Sequence, residues 1–292
     1  MKHFRLFSIM AMLSVCSASA FFAGCTGGGQ EYMNPVSIQQ GLVIVLPGIE
    51  GRSSLNENIC AGLKLGGVPW AVELNDWTNR YLSPLYNLRA EERNHRKAAE
   101  IAAHIEQYQA EHPGCPVVLV GHSGGGAIAI WAAEILRSNE KIKGIILINV
   151  ALSREYDLCK ALEHTEQGIV NFSSDKDTIL LGAGTTIFAT MDGRHESSAG
   201  MTGFLAPPTL PKIYDDKLFE IEWSESMGVY SSHSGGHFSS SNEDFVSRYI
   251  APIVLAPKWS RQLMFEVKRG ESIRVIENST KVYGEENELN RK

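Results

Sequence analysis

The sequence predicts an α/β fold: a mostly parallel central sheet with helices on both faces. Three observations carry this. Short runs of β-branched and other apolar residues recur without strict polar alternation, the pattern of strands buried on both faces. Segments with helical spacing separate these runs, as the crossovers of a parallel sheet require. The chain has 292 residues, 43% hydrophobic and 21% charged, and so is long enough for one large core.

In chain order, the first 24 residues read as a targeting segment outside the fold. Lys2 and Arg5 supply positive charge, no acid occurs, and an uncharged apolar stretch follows. Small residues then precede Cys25. This resembles a bacterial lipoprotein signal, with Phe22 where Leu is usual. The resemblance implies that Cys25 becomes the lipidated first residue, anchoring an exported domain to the membrane of the cell envelope. Two alternatives stay open: ordinary secretory cleavage after Ala20, giving a secreted or periplasmic protein, and an uncleaved anchor. Residues 25–40 begin Gly-rich and polar and predict a flexible tether.

Residues 41–257 carry the alternation. Residues 41–48 form a buried strand ended by Pro47-Gly48, and 53–67 a short helix closed by Gly66-Gly67. Residues 68–77 give a second strand. In 91–114, Ala98, Ile101, Ala102, Ile105 and Tyr108 share one helical face, and His112-Pro113-Gly114 stops the helix. A strand over 116–120 is followed by a helix whose buried face is Ile128, Trp131, Ala132 and Ile135. Residues 143–151 and 167–174 are strands with a helix over 153–166 between them. A last strand over 217–223 and a closing helix over 241–254 complete the pattern. Residues 182–214, rich in Gly, Thr and Pro and without one period, predict a lid or pocket wall. Residues 258–292 predict a hairpin turning at Arg269-Gly270 and a charged tail.

Composition excludes several functions. Net charge is −6, and no basic cluster is interleaved with aromatics, so no nucleic-acid partner is expected. Beyond Cys25 the cysteines are Cys60, Cys115 and Cys159, which allow at most one internal pair and no C-x-x-C site. No dinucleotide-type Gly-rich loop with a downstream ribose-binding acid is present.

The chemistry concentrates at Gly121-His122-Ser123-Gly124-Gly125, a G-x-S-x-G pattern between a strand and a helix. A sharp strand-to-helix turn forces its central residue into a strained conformation and needs flanks without Cβ atoms. It lifts the Ser123 hydroxyl clear of the sheet and close to a helix N-terminus, where unpaired amides favour negative charge.

With this elbow, the strand–helix order and the chain order Ser, acid, His, residues 41–252 resemble the α/β-hydrolase superfamily. The resemblance implies a serine nucleophile, a histidine base, an acid that orients it, and an oxyanion hole. His237, in a Gly-Gly-His turn before the closing helix, is the favoured base, with His233 as fallback. Asp177, just past a strand end, is the favoured acid, with Asp175 as fallback and Asp215-Asp216 weaker. His122 is expected to pack beneath the elbow. The Gly124 amide would supply one oxyanion donor. The Ile49 amide, in the loop Pro47-Gly48-Ile49-Glu50-Gly51, would supply the second. Glu50 beside such a pocket would disfavour anionic substrates.

The expected activity is hydrolysis of a carboxylic ester, small-molecule or lipid, through an acyl-enzyme, with no metal and no cofactor. Ile187, Phe188, Met191, Met201, Phe204 and Leu205 are candidates for an apolar acyl pocket. Peptidase, thioesterase and acyltransferase activities stay open on the same fold. So does a non-catalytic envelope lipoprotein that uses the scaffold for binding.

Overall fold

The computed structural model describes residues 32–177, 189–207 and 212–270. Cys25, the expected signal segment, Ile187, Phe188 and residues 271–292 lie outside the described residues. Among those described, six strands form one all-parallel sheet: β1 (Leu42–Leu46), β2 (Ala71–Leu74), β3 (Val117–His122), β4 (Ile142–Ile148), β5 (Thr165–Ser173) and β6 (Leu218–Glu222). Their order is β2-β1-β3-β4-β5-β6. The chain starts in the sheet's interior, fills one edge, crosses back and then builds outward to β6. The expected α/β architecture is thus the observed one.

Strand residues alternate between two apolar layers. Leu42, Ile44, Leu46, Val117 and Leu119 face one core, and Val43, Val45, Val118 and Val120 the other. On the first face lie α3 (Pro84–Arg89), α4 (Glu91–Glu111) and α5 (Gly124–Ile135), through Leu88, Ala98, Ile101, Ile105, Ile128 and Trp131. On the second lie α2 (Ser54–Leu65) and the helical run from Glu243 to Leu255, through Ile59, Leu63, Phe245, Ile250 and Val254. All of β1, β3 and β4 is buried, which is why those strands show no polar alternation. Burying each large aliphatic side chain contributes roughly 2 kcal/mol. That burial, more than any local propensity, fixes the register.

Three expectations are corrected. Residues 32–40, expected to belong to the tether, pack on the domain instead. Asn34 caps a turn of helix, α1 (Pro35–Ile38), Ser37 is buried, and the Tyr108 hydroxyl donates to the Ile38 carbonyl at 2.7 Å. Packing of Met33 and Ile38 on the core draws this segment onto the domain. Second, only Cys159–Glu163 (α6) is helical within 153–166. Ser153 is instead held by Asp192, its amide donating at 3.0 Å and its hydroxyl at 2.5 Å.

Third, the region entering the expected hairpin at 269–270 is a helix, Arg261–Lys268, begun by the Ser260 hydroxyl accepting from the Leu263 amide at 3.1 Å. Met264 and Val267 are buried in the second core, so the domain runs past 257. Gly270, with φ 70°, closes this helix through a bond from its amide to the Val267 carbonyl (2.8 Å) and does not turn a hairpin. Cys60, Cys115 and Cys159 are unpaired, and burial pushes the Cys60 thiol up to about 12. No helix among the described residues is long and apolar enough to cross a membrane.

The junction of β3 and α5 depends on glycines. A Cβ on Gly125 would lie 2.2 Å from the Leu46 carbonyl oxygen, and one on Gly121 would lie 2.5 Å from Gly126 Cα. Both obstacles are backbone and cannot swing aside. Gly125→Ala is therefore expected to cost about 3 kcal/mol, read as a lower urea midpoint. An unchanged midpoint would contradict this packing.

Candidate active site

The strand carboxyl ends converge on Ser123. This residue has φ 53° and ψ −120°, a conformation that costs a non-glycine side chain about 1–3 kcal/mol. Neighbouring backbone holds it there. The Ser123 amide donates to the Ile148 carbonyl at 2.9 Å, and its carbonyl accepts from the Ala151 amide at 3.1 Å. Gly126, one turn into α5, packs against Val150, where a Cβ would come within 2.6 Å of Cγ2. The hydroxyl is thus set at the first turn of α5, whose opening amides have no intrahelical acceptor.

Across this turn lies the loop after β1. The Gly51 amide donates to the Gly48 carbonyl at 3.0 Å, closing a four-residue turn. Gly51 has φ 79°, and a Cβ there would meet Thr78 Oγ1 at 2.4 Å. The loop is held from two sides: Trp77 Nε1 donates to the Pro47 carbonyl at 2.7 Å, and Asn87 Nδ2 donates to the Ile49 carbonyl at 2.9 Å. Among the described residues, neither the Ile49 amide nor the Gly124 amide donates to a backbone carbonyl outside regular structure. The two residues adjoin: a Cβ on Gly124 would lie 2.8 Å from Ile49 Cγ2 and 3.3 Å from Met191 Sδ. Two neighbouring amides, one opening α5 and one on the loop after β1, have the placement that a developing oxyanion requires.

His237 and Asp177 come together. His237 Nδ1 donates to Asp177 Oδ2 at 2.6 Å, in a pair 8% and 1% exposed respectively. Asp177 is presented by a turn after β5, its amide donating to the Ser174 carbonyl at 3.1 Å. The second donor to Asp177 Oδ2 is Asn149 Nδ2, at 2.8 Å. The His237 ring lies 4.8 Å from that of His122, the residue before Ser123, and the His237 carbonyl is 3.3 Å from His122 Nε2. His122 is completely buried beneath the elbow. Burial, and then the charge of His237, push its imidazole down to about 3, so it stays neutral across the physiological range.

The fallback residues are not in this arrangement. Asp175 is exposed in the turn. His233 is buried between Trp223 and Phe245, with Nδ1 2.7 Å from Ser239 Oγ and accepting from the Gly235 amide at 3.2 Å. Burial alone pushes it down to about 4. Asp215 and Asp216 are exposed on the helix Lys212–Lys217. Desolvation raises the Glu50 carboxyl above its ordinary value, which the hydrogen bond from Asn56 Nδ2 (2.9 Å) and the charge of His237 oppose.

The described part of 182–214 packs on the end of β4. Ala199 and Gly200 donate to the Leu152 and Val150 carbonyls, at 2.8 and 3.0 Å, and Ser198 bridges to Ser153. Of the expected pocket residues, Met191 is buried beside Gly124, Met201 and Phe204 are half-buried against the core, and Leu205 is exposed. Sequence reading missed Trp77, Asn87 and Asn149. The one local signal was for Asn149, a lone amide ending the apolar run of β4.

Residues 39–173, a little under half the chain, match the family model of the serine aminopeptidases, S33. The all-parallel sheet, the elbow and this match show an α/β-hydrolase fold. Solved structures it resembles include lipase B of Aspergillus fumigatus, at 12% identity and TM-score 0.47, covering 80% of this chain. This chain spans 60% of the length of that lipase. Est1E from Butyrivibrio proteoclasticus aligns at 13% identity and TM-score 0.42, over 74% of this chain and 87% of Est1E. The thioesterase domain from the curacin biosynthetic pathway aligns at 15% and 0.35, over 75% and 92%. A search of the curated proteins finds no match. At these identities and TM-scores, the likenesses say nothing of substrate.

Two of the buried histidines, His233 and His122, have a consequence for stability. An unfolded histidine binds a proton near pH 6.5, whereas folded His233 and His122 resist it down to about 4 and about 3. Between those values the unfolded chain binds more protons, so stability falls as pH drops below 6.5. In His233→Asn, the decline in Tm from pH 6.5 to 4 should be shallower than in wild type. Parallel declines would contradict the burial of His233 as a neutral base.

Proposed function

We propose that the protein is a serine hydrolase of carboxylic esters. The observation that carries this reading is the buried His237–Asp177 pair, held at 2.6 Å, with the His237 ring 4.8 Å from that of His122, the residue before a serine fixed at positive φ. In this reading Asp177 holds the imidazole in the tautomer whose Nε2 is free to accept a proton. His237 takes the proton of Ser123 as its oxygen attacks the acyl carbonyl. The Gly124 and Ile49 amides receive the charge that forms on the carbonyl oxygen. Collapse expels the alcohol, protonated by His237, and leaves an acyl-serine. Water, deprotonated by the same imidazole, then releases the acid. The neutrality of His122 supports this, since a second imidazolium beneath His237 would oppose the charge it gains.

Ile49, Met191 and Trp77 surround Gly124 with apolar atoms, a setting that suits an apolar acyl group. Export through lipidation of Cys25 belongs to the same proposal and rests on the sequence before Tyr32. Cys25→Ser should then move the protein from the membrane to the soluble fraction, and retention on the membrane would contradict lipidation.

Hydrolysis of p-nitrophenyl esters of graded chain length tests the chemistry. Ser123→Ala should abolish turnover, and His237→Ala and Asp177→Asn should each lower kcat by about 10³-fold or more. Asp175→Asn should leave it within about two-fold, and His233→Ala should spare the mechanism. A folded wild type inert towards every ester, peptide and thioester tried would favour a binding role for the scaffold.

A further inference from the structure

One buried polar side chain beside the proposed triad has no assigned task. Asn149 follows β4, is 2% exposed and takes φ 49°, a left-handed conformation that Asn tolerates better than most residues. Its backbone is fixed twice. Its amide donates to the Phe172 carbonyl at 3.0 Å, and Gly200 crosses it so closely that a Cβ there would lie 2.3 Å from the Asn149 carbonyl carbon. The side chain therefore has little freedom to withdraw.

Its Nδ2 donates to the Asp177 oxygen that also receives His237, at 2.8 and 2.6 Å respectively. The other oxygen, Oδ1, is buried and has no hydrogen-bond partner among the described residues. Both donors thus share one atom. Without Asn149 the carboxylate would lose one of the two donors that fix its torsion about Cβ–Cγ. An amide on Oδ2 also draws electron density from the atom that stabilises imidazolium.

We propose that Asn149 is a positioning residue that orients the Asp177 carboxylate towards His237 and moderates its pull on the imidazole. This rests on the triad reading above. The left-handed backbone does not by itself demand Asn, since Gly and Asp also adopt it. What only Asn brings is a neutral donor of this reach. The titratable groups that face His237 are Asp177, His122 and Glu50. Only Asp177 bonds to Asn149.

The experiment is the pH dependence of kcat and kcat/KM for p-nitrophenyl butyrate in the full chain, for wild type, Asn149→Gly and Asn149→Asp. Asn149→Gly keeps the backbone geometry and deletes the amide. It should lose roughly ten-fold in kcat with KM within about two-fold, and its acid limb should move to higher pH. A purely structural role would lower the folded fraction and leave the limb in place. Asn149→Asp is isosteric and sets a second carboxyl against Asp177, so its profile should gain an ionisation that wild type lacks. Either variant, folded, with the wild-type rate and limb would overturn the role of Asn149 alone. A wild type that hydrolyses no ester would overturn the triad reading and this inference with it.

Discussion

Where α5 leaves β3, three backbones cross almost without side chains between them. Gly125 lies against the carbonyls of Leu46 and Pro47, Gly121 against Gly126, and Gly126 against Val150. These contacts leave the turn one way to close, with Ser123 at positive φ. The strain at one residue is small beside the burial of the strands it joins, each of which contributes several kcal/mol. The serine is therefore held by the whole sheet, and the rest of the site is measured from it.

The surrounding electrostatics follow from burial. His122, beneath the elbow, cannot charge because no water reaches it, so His237 has a neutral imidazole behind it and a carboxylate at Nδ1. Glu50 sits on the loop that presents the Ile49 amide, and desolvation works against its ionisation. The loop itself is fixed by Trp77 and Asn87, which donate to its Pro47 and Ile49 carbonyls.

Much of this was legible in the sequence, for local reasons. The elbow is a five-residue pattern at a change of hydrophobic period, and Asp177 and His237 follow strand runs at recognisable ends. What was not legible depends on partners far along the chain. Residues 153–158 have helical composition, yet Asp192, 39 positions on, holds Ser153 out of a helix. The stretch from Leu263 to Lys268 fits either period. Trp259, whose Nε1 donates to the Ile253 carbonyl at 2.8 Å, and the Ser260 cap decide for helix. Asn149 looked like the tail of a strand, because its role arises only when β4 and β5 lie side by side.

The proposed chemistry needs Ser123 to be a nucleophile activated by His237. Treatment of the folded protein with a fluorophosphonate, followed by peptide mass spectrometry, reads this out. One adduct per chain is expected, on Ser123, lost on unfolding before treatment and lost in His237→Ala. An adduct on another residue, or none on a folded protein, would contradict it.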